Sequence, residues 1–138
     1  IPMIQIVAGL KGSGKTKRLI DMTNITARDG EHDVIFLDDD NRYMYDVSHK
    51  VRFINLEDYH VKNEDMFIGF ISGILSSNYD LGTVFIDAFL KLAHKSAEES
   101  SEILNILAAL SAKHGVNFVL SVSADPAQLP EFMSQYLI

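Results

Sequence analysis

The chain contains no cysteine among its 138 residues, which excludes disulfide bonds, thiolate catalysis and cysteine-ligated zinc sites. Basic residues are also scarce, because 12 lysines and arginines stand against 19 acidic residues. The net charge is −7 and no run of basic residues occurs. Proteins bind nucleic acids largely by neutralising phosphates with positive charge, so this balance argues against autonomous nucleic-acid binding.

No apolar stretch approaches the length of a transmembrane helix, and no signal peptide is recognisable. We therefore expect a cytoplasmic protein without a membrane partner. Because 47% of the residues are hydrophobic, the chain can bury a sizeable core. The length suits a single domain over residues 1–138 and leaves little room for a separate lid or substrate domain.

The most specific pattern in the chain is GLKGSGKT at residues 9–16, which matches the phosphate-binding P-loop, G-x-x-x-x-G-K-[ST]. An apolar run at 3–8 predicts a buried strand before it, and 15–28 predicts a helix after it. Glycines let successive N–H groups point at phosphate oxygens, and the helix N-terminus attracts the same anion. The pattern predicts a nucleotide site formed by Gly9, Lys11, Gly12, Ser13, Gly14, Lys15, Thr16 and Lys17.

Within that loop, Lys15 is expected to reach the β- and γ-phosphates, and the Thr16 hydroxyl is expected to ligate Mg²⁺. The apolar run 84–86 ends in Asp87, which is the Walker B pattern. An aspartate at the end of a buried strand can hold Mg²⁺ directly or through water, opposite Thr16. The cofactors predicted from the sequence are therefore ATP and Mg²⁺.

Strand and helix patterns alternate along the chain, which predicts a three-layer α/β fold with a five-stranded, mostly parallel sheet and helices on both faces. Strands are expected at 3–8, 34–37, 51–56, 83–87 and 117–123, and 42–50 is expected to be a loop or helical turn. Helices are expected at 15–28, from 63 to 78, from a Ser96–Glu99 capping box to Gly115, and after Pro126 or Pro130. We expect strand 117–122 to lie between the P-loop strand and the 83–87 strand, followed by 34–37 and then 51–56.

Three aspartates, Asp38, Asp39 and Asp40, follow the second predicted strand. Asp39 or Asp40 could orient an attacking water, or act as general base for the hydroxyl of a phosphate acceptor. A solvated acidic turn is the alternative interpretation, because adjacent charges cost little in water.

These motifs resemble the RecA-like ATPase branch of the P-loop NTPases, on residues 9–16, 36–40, 84–87 and 107–123. The resemblance implies a catalytic carboxylate after the second strand or after the Walker B aspartate, and a polar γ-phosphate sensor on the last strand. Ala88 follows Asp87, so Asp39 or Asp40 would replace the family's glutamate, which implies slow hydrolysis. The sensor would be Ser121 or Ser123. The motif order is also similar to small bacterial P-loop proteins sometimes named as twitching-motility ATPases.

Two further readings stay open. Shikimate-kinase-like enzymes carry an Asp-x-Asp at the end of the second strand, which residues 38–40 can imitate, but they need an arginine-rich lid and no arginine follows Arg52. A nucleotide-responsive adaptor would bind a protein partner or form a homo-oligomer without turnover.

Arg42 is the best-placed candidate for an arginine finger, with a surface ion pair as its alternative role. Tyr43, Phe132 and Tyr136 are unranked candidates for stacking on a base.

Overall fold

The computed structural model describes residues 3–138, which form one sheet of five parallel strands flanked by helices. The strands are β1 (Ile4–Gly9), β2 (Asp33–Asp38), β3 (Val51–Asn55), β4 (Leu81–Ile86) and β5 (Asn117–Ser123). The helices are α1 (Lys15–Asp29), α2 (Glu64–Ser77), α3 (Phe89–Ala93), α4 (Ser101–His114) and α5 (Glu131–Ser134). Two short 3₁₀ turns occupy Leu56–Tyr59 and Pro126–Gln128.

The sheet has the order β1-β5-β4-β2-β3, and every paired strand is parallel to its neighbour. This confirms the predicted fold class and strand order, with β5 inserted between β1 and β4. All five carboxyl ends therefore meet at one edge of the sheet. Ligands of open α/β sheets bind at that edge.

Two apolar cores cover the two faces of the sheet because the strands are hydrophobic on both sides. On one face, α1 packs Leu19 and Ile20 over a cluster that includes Phe36 and Phe85. On the other face, α2, α3 and α4 bury a larger cluster that includes Phe67. Fully burying one such side chain stabilises the fold by about 1.5–3 kcal/mol. Helix α1 is thereby fixed against the strands that carry the other candidate residues.

Two helix predictions differ from the structure. Helix α3 was not expected, because five residues are too few to show a helical period. Helix α4 begins at Ser101 rather than at the predicted capping box. Ser96 and Glu99 do contact each other, since the Ser96 N–H and hydroxyl donate to Glu99 Oε1 at 3.2 and 2.8 Å. That contact closes a turn before the helix instead of its first turn.

The remaining boundaries agree with the predictions to within about two residues, a normal difference at element ends. Both proline signals near the end of the chain mark real elements, since Pro126 begins a 3₁₀ turn and Pro130 precedes α5. None of the helices among residues 3–138 has the length and apolarity to cross a membrane.

Candidate functional site

The loop between β1 and α1 is shaped by its glycines. Gly12 and Gly14 have φ angles of 84° and 85°, which other residues rarely adopt. The Ser13 N–H donates to the Leu10 carbonyl at 3.0 Å, which closes the turn. A Cβ atom on Gly9 would lie only 2.2 Å from Ser13 Oγ, so glycine is required there for the close approach of the loop. A side chain at position 9 would therefore press against Ser13 within the loop.

A row of polar side chains crosses the carboxyl edge of the sheet next to this loop. Leu37 pairs with Ile86, and Ile86 pairs with Leu120, so the next residues on the three strands are Asp38, Asp87 and Ser121. They follow Phe36, Phe85 and Val119 by two positions, and those three residues lie in the core beneath α1. Because side chains alternate along a strand, the three polar groups face α1 and its N-terminus.

Asp87 contacts both α1, through Thr16, and β5, through Ser121. The Thr16 hydroxyl donates to the two carboxylate oxygens of Asp87 at 3.3 Å each. Ser121 Oγ donates to Asp87 Oδ1 at 2.5 Å and accepts from the Ala88 N–H at 2.8 Å. The Asp87 N–H donates to the Leu37 carbonyl at 2.9 Å. The buried Asp87 carboxylate is therefore fixed in position directly opposite the start of α1.

The oxygens of Thr16 and Asp87 fit a magnesium ion. Mg²⁺ prefers oxygen ligands at about 2.1 Å in octahedral geometry, which places adjacent ligands about 3 Å apart. The separation of 3.3 Å between the Thr16 hydroxyl and each Asp87 oxygen is close to that spacing. It is also long for a hydroxyl–carboxylate hydrogen bond, which is normally about 2.5–2.7 Å. A shared ion can replace this contact with little movement.

The three aspartates after β2 have different surroundings. Asp38 is buried, with 2% of its surface exposed, and its Oδ1 accepts from the Asp39 N–H at 2.7 Å. Its Oδ2 is buried without any hydrogen-bond partner. Burial, reinforced by the nearby Asp39 and Asp87 carboxylates, raises the pKa of Asp38 to about 8. Asp38 is the member of the run that lies next to Asp87.

Asp39 and Asp40 are held by basic side chains. Burial acts to raise the pKa of Asp39, but the ammonium of Lys91, which bonds to Asp39 Oδ2, outweighs it and lowers the pKa. Asp40 Oδ1 accepts from the Arg42 N–H at 2.8 Å, and Arg42 Nη2 lies 3.5 Å from Asp40 Oδ2. The Arg42 guanidinium also lies over the Tyr43 ring, 5.9 Å from its centroid. These contacts match the surface ion pair predicted as the alternative role of Arg42.

A cavity of about 670 Å³ opens beside the P-loop, and its volume is in the range typical of small-ligand sites. At one end it is lined by Gly12, Gly14, Lys15, Thr16 and Lys17. Its other end is lined by α1 and the loop after β2, through Ile20, Asp21, Asn24, Tyr43 and Asp46. Asn24 fixes that loop to α1, because it donates to the Asp46 carbonyl at 3.0 Å and accepts from the Ser48 N–H at 2.8 Å.

The other predicted residues are distributed around this cavity. The Lys15 side chain is half-buried, Lys11 is exposed, and Lys17 forms an ion pair with Asp21 at 2.9 Å. Of the three aromatic candidates, Tyr43 lines the cavity, whereas Phe132 lines a separate one of about 470 Å³. Ser121 is buried against Asp87, while Ser123 is exposed.

Sequence reasoning missed Lys91, Asn24 and the burial of Asp38. Lys91 belongs to the unexpected helix α3, so nothing in the sequence placed it near Asp39. Asn24 is one polar residue on an amphipathic helix, where an asparagine normally faces solvent. Only Asp38 of the three aspartates is buried, because it is the last residue of β2. Three identical residues in a row do not reveal which of them the strand includes.

Comparison with known proteins supports the fold and goes no further. No protein-family model matches the chain, and no curated protein matches its sequence. Among solved structures, the flagellar accessory protein FlaH from Methanocaldococcus jannaschii is similar, with a TM-score of 0.59 at 14% identity. The match covers 97% of this chain and 65% of the FlaH chain, so this chain spans less than two thirds of that protein. At this identity the similarity shows a shared three-layer α/β fold.

Proposed function

We propose that the chain binds a Mg²⁺–nucleoside triphosphate, ATP, at the loop of residues 9–16 and hydrolyses it slowly. The observation that carries the proposal is the contact between the Thr16 hydroxyl and the Asp87 carboxylate, 71 positions apart in sequence. This contact brings a P-loop threonine and a strand-end aspartate to one point beside a glycine-shaped anion cradle. Metal-assisted phosphoryl transfer needs that combination of groups.

In this proposal the backbone N–H groups of Gly12, Gly14, Lys15 and Thr16 and the Lys15 ammonium bind the phosphate oxygens, while the Ser13 N–H keeps its bond to the Leu10 carbonyl. Thr16 and Asp87 would hold Mg²⁺, which supplies positive charge to neutralise the β- and γ-phosphates. Ser121 is a positioning residue, because its hydrogen bond fixes the orientation of the Asp87 carboxylate. The helix dipole of α1 adds a partial positive charge at the same point.

Hydrolysis also requires a carboxylate that orients water. The sequence-based choice of Asp39 or Asp40 stays a prediction, but the contacts favour Asp38, because Lys91 and Arg42 hold the other two. The water oxygen would bond to the γ-phosphorus while the bond from that phosphorus to the β–γ bridging oxygen breaks. The water proton would pass to the ionised form of the Asp38 carboxylate, leaving ADP and phosphate. Because the pKa of Asp38 is raised to about 8, little of that form is present at neutral pH, which favours slow turnover. Arg42 lies over Tyr43 instead of the P-loop, which favours slow turnover.

The proposal is tested by calorimetric titration of Mg·ATP into the protein, with phosphate release followed in parallel. We expect the Lys15→Ala variant to lose detectable binding, because Lys15 contacts the phosphates. Lys113→Ala, at an exposed lysine in the last turn of α4, is the matched control and should bind like the parent. Failure of the parent protein to bind Mg·ATP would refute the proposal, and so would equal binding by Lys15→Ala.

A small-molecule kinase is a second candidate, favoured by the cavity of about 670 Å³ beside the P-loop. Its far end carries Asp21, Asn24 and Asp46, which could hold the hydroxyl groups of an acceptor. A kinase would consume ATP only when an acceptor is present and would release no free phosphate. Screening hydroxylated metabolites for acceptor-dependent ADP formation separates this activity from hydrolysis.

A further inference from the structure

The carboxylates of Asp38, Asp39 and Asp40 converge on one point beside the Thr16–Asp87 pair. Each contributes one oxygen, and the three oxygens lie within 4.8 Å of one another. Successive residues of an extended strand would point to opposite sides, so the chain has to bend here. The bend follows β2 directly, at residues 39–41. Carboxyl groups this close disfavour one another's charged forms, and a cation that shares them offsets that cost.

A second observation indicates that a ligand belongs at this point. Asp38 Oδ2 is buried, accepts no hydrogen bond, and belongs to a side chain that is only 2% exposed. A buried carboxylate oxygen without a partner is costly, and buried charges in proteins are normally paired or bound to metal. Asp38 Oδ1 is already satisfied by the Asp39 N–H. The unsatisfied oxygen is therefore the one available to a cation.

We propose that Asp38, Asp39 and Asp40 form a divalent-cation site separate from the Thr16–Asp87 position, and that it prefers an ion of the size of Ca²⁺. Oxygens on opposite sides of an ion are separated by twice the metal–oxygen distance, which is about 4.6–5.2 Å for Ca²⁺ and about 4.2 Å for Mg²⁺. The three oxygens lie within 4.8 Å of one another, which is close enough for them to share one ion of either kind. The preference for Ca²⁺ follows from coordination, because Ca²⁺ accepts several carboxylates in irregular geometry whereas Mg²⁺ demands a near-ideal octahedron.

Two basic side chains, Lys91 and Arg42, border the proposed site. Lys91 bonds to Asp39 and Arg42 lies beside Asp40, so two positive charges already offset part of the repulsion. The Lys91 side chain is 71% exposed and can leave its partner for solvent at little cost. The ion would compete with Lys91 for Asp39, and water would complete its coordination because Asp39 and Asp40 are only half-buried.

The test is a calorimetric titration of Ca²⁺ into nucleotide-free protein, with Mg²⁺ titrated separately. We expect one Ca²⁺ per chain, bound more tightly than Mg²⁺. Asp39→Asn and Asp40→Asn should each weaken it at least about tenfold, since affinity follows the ligand charge count. Lys91→Met should tighten Ca²⁺ binding by removing the competing ammonium. Asp58→Asn, an exposed carboxylate in the 3₁₀ turn after β3, is the charge-matched control and should change little.

Three results would overturn the site. The first is no Ca²⁺ binding at about 10 mM, a concentration well above the dissociation constants of the weakest protein Ca²⁺ sites. The others are Ca²⁺ binding that is unchanged in Asp40→Asn, and Ca²⁺ binding that is abolished by Thr16→Val. The last result would assign the ion to the P-loop. Circular dichroism of each variant verifies folding, which asparagine should preserve because it keeps the shape and removes repulsion. Since the titration contains no nucleotide, its outcome is independent of whether Mg·ATP binds.

Discussion

The contact between Gly9 and Ser13 shows how one glycine determines the shape of the loop between β1 and α1. The chain passes so close to itself that a Cβ at position 9 would lie 2.2 Å from Ser13 Oγ and 2.9 Å from Ser13 Cβ. Gly12 and Gly14 serve a different need, because they adopt positive φ angles that residues with a side chain rarely adopt. The sequence pattern predicted all three glycines, but only the structure separates the steric requirement from the conformational one.

Gly9→Ala is predicted to weaken Mg·ATP binding, because the added methyl group would lie 2.2 Å from Ser13 Oγ and 2.9 Å from Ser13 Cβ, and rotation of the hydroxyl relieves only the first contact. Gly73→Ala is the matched control, since an alanine Cβ at this exposed position of α2 meets no atom within 4 Å. The control should bind normally and gain about 0.5–1 kcal/mol of unfolding free energy from its better helix propensity. Calorimetry and urea denaturation measure the two effects. Normal ATP binding by Gly9→Ala would show that the loop does not form the cradle.

Asp38 is a candidate site residue whose buried side chain destabilises the fold. Its buried, unpartnered oxygen lies beside two other carboxylates, and such sites are often stabilised by removing the charge. Asp38→Asn is predicted to raise the free energy of unfolding in metal-free buffer by about 1 kcal/mol, while phosphate release falls. Asp80→Asn, at an exposed turn, should change stability by less than about 0.5 kcal/mol. A destabilised Asp38→Asn protein would mean that the carboxylate has a favourable partner.

At the scale of elements, the strands were predictable and the short helices were not. Each strand is a run of apolar residues ended by polar ones, so burial on both faces leaves a clear signal. Helix α3 has five residues and begins after Ala88, whose φ of 51° is unusual for a residue with a side chain. No sequence pattern encodes that turn, because alanine favours ordinary helical geometry. The ion pair of Lys91 with Asp39 was unpredictable for the same reason.

The contact of Ser96 with Glu99 provides a pH-dependent test at the element scale. Hydrogen bonds from the Ser96 hydroxyl and N–H to Glu99 lower the pKa of this carboxyl. Ser96→Ala removes the stronger of the two, so the pKa of Glu99 should rise while staying below its ordinary value. Because the pKa of Glu99 is lower in the folded state, the contact stabilises the fold at pH values above the pKa of Glu99 in the unfolded chain. This stabilisation is lost as the pH falls through the pKa of the folded state. Carboxyl ¹³C NMR titration measures the shift, and an unchanged pKa would contradict the contact.

At the scale of the whole molecule, the order of strands brings the site together. Inserting β5 between β1 and β4 places Ser121 beside Asp87, and the crossover of α1 brings Thr16 to the same edge. The sequence predicted this order. It also proposed Thr16 and Asp87 as metal ligands and Ser121 or Ser123 as a sensor, and these roles stay predictions. It could not distinguish Asp38 from Asp39 and Asp40, because that depends on which carboxylate the register buries next to Asp87.

The most direct test of the account is a double-mutant cycle on Thr16 and Asp87, with Mg·ATP affinity as the readout. Thr16→Val keeps the side-chain shape without the hydroxyl, and Asp87→Asn keeps the shape without the charge. If both residues hold the same Mg²⁺, each variant loses the Mg²⁺-dependent part of the affinity and the double variant loses little more. The result that would contradict the account is Mg·ATP binding unaffected by either variant, or losses that simply add.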